Sequence, residues 1–257
     1  MGLLVRCHAR IERQQHAAVL RSLGVRQRVR QGGEGFADAN NDNKITFGKN
    51  GVLDLGGDHG SVALSGTSAL EYDGVVTNNG TLVISRSGSL TFTNTVNGAG
   101  DFVSRMATGG ELTLAGLNNY SGFTRIESGT LVIGAASAWT NSDRVVLGSA
   151  GNSATLELNG TTGANATVAT LDGAGTITNA DATAITFTTG GGTWNGIFED
   201  GAGVLNVTKG GTTGAPTWSG LNTYTGVTTI GGTTGLVTVN VLANGGVASG
   251  IGASSNA

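Results

Sequence analysis

From position 36 onward, short runs of alternating apolar and polar residues are separated by glycine, asparagine and aspartate. KITF (44–47), VLDL (52–55), SVALS (61–65), TLVIS (81–85) and SLTFT (89–93) come first. ELTLA (111–115), TLVIG (130–134), RVVLG (144–148), ATLEL (154–158), AITFT (184–188) and VLNVT (204–208) continue the series. Within them Leu112 and Leu114, Leu131 and Ile133, Val145 and Leu147, Leu156 and Leu158, and Ile185 and Phe187 alternate with polar neighbours. A period of two puts successive side chains on opposite faces, so each run predicts a strand with one buried and one wet face. The runs recur at about ten-residue spacing, which predicts an all-β body.

The breakers recur too. Asn97-Gly98-Ala99-Gly100, Asp172-Gly173-Ala174-Gly175 and Asp200-Gly201-Ala202-Gly203 each precede a strand-like run. Asn or Asp can bond the backbone two residues on, and glycine accepts positive φ without steric cost, so one sharp corner is expected three times. Larger self-similarity organises the chain. With a shift of 104 positions, Gly116, Leu117, Asn118, Tyr120, Gly122, Thr124 and Ile126 fall on Gly220, Leu221, Asn222, Tyr224, Gly226, Thr228 and Ile230. An internal repeat of this kind points to a repetitive architecture.

Composition separates the two architectures that such strands allow. Of 257 residues 46 are glycine and one is proline, with 5% aromatic and 12% charged. Mean hydropathy is +0.05, which argues against disorder despite the low charge and few aromatics. A β-sandwich needs large side chains on two broad inner faces, whereas a parallel β-helix coils its rungs around a narrow core. Small residues and scarce aromatics favour the β-helix. At about 20 to 25 residues per rung, residues 36–257 predict roughly nine to eleven rungs. With about 4.8 Å between strands, the rod would be near 45 to 50 Å long. The repeat copies are then four or five rungs apart, so Tyr120 and Tyr224 are not expected to stack.

Charge divides the chain unevenly. Arg6, Arg10, Arg13, Arg21, Arg26, Arg28 and Arg30 are seven of its fourteen basic residues, all before position 36. The remainder is mildly acidic and offers no basic patch, so nucleic acid is not expected as a partner. Residues 1–35 form a distinct basic segment, expected to be disordered or to lie outside the true domain. Leu4, Ile11, Ala18 and Val25 recur every seven residues, which also admits a basic amphipathic helix against acidic lipid. Cys7 is the only cysteine, so no internal disulfide forms. No apolar run reaches the roughly 20 residues that span a bilayer, and no secretory signal or membrane β-barrel is visible.

Candidate chemistry is thin. His59, between Asp58 and Ser61 in a glycine turn, is the one histidine after position 36. Adjacent residues in a turn need not converge as a triad does. Asp38, Asn40 and Asp42 begin like a calcium loop, but Asn43 replaces the required glycine and Lys49 stands where the bidentate acid belongs. Asp143, Glu157, Asp172, Asp181, Glu199 and Asp200 are scattered acids, best read as solvent-facing polar positions. No catalytic, cofactor-binding or metal-binding residues are expected, and no cofactor.

Around Asn118 and Tyr120 the sequence resembles the passenger-associated β-strand repeat of bacterial autotransporters. The pattern is a Leu-Thr-Leu strand, a Gly-x-Asn-x-Tyr-x-Gly-x-Thr turn and a Gly-Thr-Leu strand, here at 112–114, 116–124 and 129–131. The lead-in LDGAGTITNADATAITF from Leu171, and WNGIFEDGAGVLNVTKGG from Trp194, are similar to the family as well. The tail from Ala243 resembles the opening of a further unit. Pro216 and Trp218 replace Leu112 and Leu114 in the second copy and suggest an irregular or edge position there.

The resemblance implies a right-handed parallel β-helix spanning 36–257, with strand repeats near 101–134 and 203–239. It implies a non-enzymatic structural or adhesive stalk of a secreted, surface-displayed bacterial protein, with repeats that aid passenger export and folding. A host surface, glycan or neighbouring cell is the expected partner, and the full-length protein is expected to carry a β-barrel translocator in the outer membrane. A β-helix carbohydrate-active enzyme, a polysaccharide lyase or glycoside hydrolase, is the alternative.

Overall fold

The computed structural model describes residues 75–134, 143–148, 154–159, 166–211, 214–233 and 235–254, together with the backbone of Arg28–Arg30, Val52–Asp54 and Ser61–Gly66. Within these limits the chain is all β, coiled as a parallel solenoid of about seven turns. Among the described residues no helix is long and apolar enough to cross a membrane.

Three ladders run along the coil. The first stacks Val52–Asp54, Val75–Thr77 and Val96–Asn97, and a parallel bridge from Val96 carries it on to Asn118. The second starts with Ser61–Gly66, Thr81–Arg86, Asp101–Met106 and the first half of Thr124–Ile133. It continues through Arg144–Leu147, Ala166–Gly173, Ile185–Gly191, Leu205–Lys209 and Thr228–Ile230. The third stacks Leu90–Phe92, Glu111–Leu114, the second half of Thr124–Ile133, Ala154–Leu158, Thr176–Asn179 and Ile197–Asp200. Thr124–Ile133 serves two ladders because it turns at Gly129, whose φ of 70° suits glycine.

Register follows the inward residues. Leu90, Leu112, Leu131, Leu156, Ile177 and Phe198 form one column, stacked coil on coil. All but Leu90 are fully buried. Steps between partners run from 19 residues, as at Leu112 to Leu131, to 26 at Arg144 to Thr170. A one-residue slip would send a whole column outward, so alternation fixes the pairing.

Two expectations change. Thr217–Trp218 is not an edge: it pairs with Thr193–Trp194 on one side and Thr238–Val239 on the other. Pro216 precedes this strand, where its missing N–H costs nothing, and its carbonyl accepts from Thr238 N at 2.9 Å. Nor is the Asn/Asp-Gly-Ala-Gly tetrapeptide one corner. It links the first ladder to the second at Gly98, the second to the third at Gly173 and the third to the second at Gly201. Positive φ occurs at Gly98 and Gly173. What the three share is close approach: a Cβ would lie 2.1 Å from Asn78 O at Gly98, 2.1 Å from Leu147 O at Gly173 and 2.3 Å from Asn179 O at Gly201. The side chains of Asp172 and Asp200 also reach the next coil: Asp172 accepts from Thr193 N and Asp200 from Thr225 N.

Candidate functional site

The repeated motif is a corner whose alternate residues point inward. From Glu111 to Ile126 every second residue is buried, and Asn118, Tyr120, Gly122 and Thr124 belong to that set. The second copy behaves alike from Pro216 to Gly226. Glycine is required because the corner presses on the preceding coil: a Cβ at Gly116 would sit 2.1 Å from Asn94 O, and at Gly220 1.7 Å from Gly196 O. Gly122 and Gly226 are held equally close, at 2.2 Å from Gly100 O and 2.1 Å from Leu205 O.

The polar members are spent inside the protein: Asn118 Nδ2 donates to Gly116 O in its own corner at 2.9 Å, and Asn222 reaches neighbouring coils. Asn222 Oδ1 accepts from Phe198 N at 2.9 Å, while its Nδ2 donates to Gly250 O at 2.8 Å. Asn78 Nδ2 reaches forward to Asp101 O and Asn179 Nδ2 to Val204 O, so buried asparagine staples recur outside the repeat. Each tyrosine meets the threonine four residues on, Tyr120 to Thr124 at 2.7 Å and Tyr224 to Thr228 at 2.6 Å. Burial pushes the Tyr224 hydroxyl up to about 12, against the opposing pull of its bond to Thr228.

Aromatic residues gather in the core between the second copy and the coils that precede it. Phe198 lies 5.6 Å from Trp194, 5.8 Å from Trp218, 5.9 Å from Phe187 and 6.2 Å from Tyr224, centre to centre. Neither indole N–H of Trp194 or Trp218 meets an acceptor among the described residues. Lys209 is also inside, its Nζ donating to Gly210 O at 2.9 Å. An inward lysine on a strand of otherwise ordinary alternation is visible in the sequence once Leu205 and Val207 set the phase.

On the outside, Phe123 is the only described aromatic that is not buried. The guanidinium groups of Arg125 and Arg144 lie 5.8 and 5.6 Å from its ring centre. Asp101 Oδ1 accepts from Phe123 N, Arg144 Nε donates to Asp172 Oδ2 at 2.8 Å, and Asp172 Oδ1 accepts from Thr193 N. These contacts form an external brace across five coils. Arg105 pairs with Glu127 at 2.6 Å, a bond that raises the affinity of its guanidinium for the proton.

The scattered acids do not converge. Asp181 accepts from Thr183, Asp200 from Leu205 and Thr225, and Asp172 belongs to the brace. The carboxyl of Glu157 is raised from its ordinary value by burial first and by Glu111 second. No group of three or more metal-binding side chains occurs among the described residues. Asp38, Asp58 and His59, and the side chain of Ser61, lie outside the described residues.

No family model matches the chain, and no solved structure matches it. A curated relative, the adhesin BmaC autotransporter of Brucella suis biovar 1 (strain 1330), is 37% identical over 243 residues, covering 82% of this chain. The chain spans 7% of that relative's length. Repeats that build the corners of a parallel solenoid, together with this similarity, fit a passenger domain of a bacterial autotransporter.

Proposed function

We propose that the chain is a structural and adhesive segment of a surface-displayed passenger, holding other parts of the protein away from the outer membrane and offering its side to a host surface, glycan or neighbouring cell. The observation that carries this reading is the continuous parallel ladder, in which polar side chains are used to join coils and all the described aromatics but Phe123 are buried. Such a body is stiff along its axis, because every coil is bonded to the one before it. The name of the relative supplies adhesion as the activity to test.

We further infer a part in export and folding. A coil that docks on a folded coil pairs its backbone and buries its inward column, so folding proceeds in one direction and resists reversal. The repeats contribute the corners at which each new coil is pinned.

Deletion of residues 101–239 from the full-length passenger tests both halves, with protease accessibility on intact cells reporting display and cell attachment reporting adhesion. Both are expected to fall. Unchanged display would overturn the export role, and unchanged attachment would overturn the adhesive one. Turnover of a neutral or acidic polysaccharide by the purified chain would favour the carbohydrate-active alternative instead.

A further inference from the structure

Among the residues whose side chains are described, five are cations, and burial takes Arg86 and Lys209 from the surface. The other three, Arg105, Arg125 and Arg144, sit on consecutive strands of the second ladder and face outward. Phe123, the one described aromatic that is not buried, lies among them. The described body thus gathers its exposed positive charge and its exposed ring on a single flank.

Two of these cations are already matched, Arg105 to Glu127 and Arg144 to Asp172. Arg125 is different: its ladder neighbours are Val103 and Val146, and its guanidinium meets no carboxylate among the described residues. It is held instead by the Phe123 ring, 5.8 Å from the ring centre. A ring attracts a guanidinium through the charge on its face and accepts none of the N–H donors in the usual sense, so the planar fork stays available to an anion. An exposed ring beside such a fork matches a sugar acid, whose C–H face packs on the ring while its carboxylate is taken by two parallel N–H bonds. We propose that Phe123 and Arg125 form a subsite for a carboxylated sugar, an inference that rests on the adhesive reading above and names its ligand class.

The surroundings prepare the pair and narrow the ligand. Asp101 Oδ1 accepts from Phe123 N at 2.9 Å, and Arg144, tied to Asp172, lies 5.6 Å from the same ring centre. The platform is therefore in place before a ligand arrives, and little ordering is left for binding to bear. Asp101, Glu127, Asp143 and Asp172 border Arg125 on the same or adjoining strands. A densely sulfated chain would meet like charge wherever it overran the one unmatched guanidinium. A sugar chain with single, spaced carboxylates avoids that repulsion and still fills the fork.

Calorimetric titration of the purified chain with sialyllactose, a hyaluronan fragment, lactose and a heparin fragment tests the proposal. Sialyllactose or the hyaluronan fragment is expected to bind, which tells a sialic acid from a uronic acid, with lactose and heparin roughly tenfold weaker or worse. Arg125→Gln is expected to weaken binding about tenfold or more at an unchanged thermal midpoint. Arg125→Lys should restore only part of the loss, because an ammonium lacks the fork, and Phe123→Leu should weaken binding as well. No binding of either carboxylated sugar, a preference for lactose or heparin, or binding that survives Arg125→Gln would overturn the subsite; a variant that shifts only the midpoint would leave the pair as a brace. Attachment of cells displaying the full-length passenger keeps the two readings apart. Attachment lost on deleting 101–239 and kept in Arg125→Gln would sink the subsite and spare adhesion, whereas attachment kept after the deletion would sink adhesion alone, the titration still deciding the subsite.

Discussion

Tyr224 donates its hydroxyl hydrogen to Thr228 Oγ1 across 2.6 Å, because the hydrogen of Thr228 is already given to Ile251 O. The direction of this bond makes the pair a relay from the interior of one coil to the backbone of the next segment. Replacing Tyr224 by phenylalanine keeps the ring against Phe198 and removes only the donor. The expected loss is about 1 kcal/mol, the ordinary net worth of one such bond. Urea unfolding followed by the fluorescence of the adjacent tryptophans measures it; a loss above about 3 kcal/mol would mean that the ring has moved.

The same hydroxyl predicts an alkaline limit. An unfolded tyrosine ionises near 10, whereas Tyr224 in the folded chain holds its proton to about 12. Between those values only the unfolded state gains charge, so stability that is intact below pH 10 declines as pH rises, by at most about 1.4 kcal/mol per pH unit. Thermal midpoints from pH 9 to 12 should show a slope that Tyr224→Phe reduces.

Gly220 and Gly88 offer a paired test of close approach. A Cβ at Gly220 would fall 1.7 Å from Gly196 O, and at Gly88 it would meet nothing within 4 Å. Gly220→Ala is expected to cost about 3 kcal/mol or more, since two backbones must separate. Gly88→Ala should be neutral, or stabilise by a few tenths to about 1 kcal/mol, by restricting the unfolded chain. Denaturation midpoints of the two variants decide; similar behaviour would refute the packing account.

Arg144 tests the external brace. It is 43% exposed at its side chain, and its pairing with Asp172 is open to water. Arg144→Ala is therefore expected to cost less than about 1 kcal/mol, with a smaller effect in high salt. A larger loss that salt leaves unchanged would place the value of the contact in packing on Phe123 instead.

Much of the solenoid is legible in the sequence because alternation and stacking use the same residues. Leu112, Leu131 and Leu156 are apolar members of obvious strands, and they make a column without any long-range information. The first ladder is harder to see. Val96–Asn97 has only two residues in strand form, and its order comes from the coils on either side. Strands of this length carry no period of their own.

The tetrapeptide corners show a different limit. Asn97, Asp172 and Asp200 were legible as turn formers, but turn propensity describes a side chain bonding its own backbone. In a stacked coil a closer competitor is the N–H of the next turn, as Asp172 finds at Thr193 and Asp200 at Thr225. Local chemistry places the corner, and the neighbouring coil decides its bonds. Lys209 follows the same logic: its strand phase forces it inward, and residue type alone would have left it outside.

The step from Arg144 to Thr170 is five residues longer than that from Thr170 to Gly191, yet the ladder keeps its register through both. Each coil is recognised only by its immediate neighbours, so extra residues between strands go unread by the rest of the molecule. A lineage can therefore rewrite what such a rod displays along its flank while leaving the interior grammar untouched. Variety outside and monotony inside become compatible demands on a single sequence.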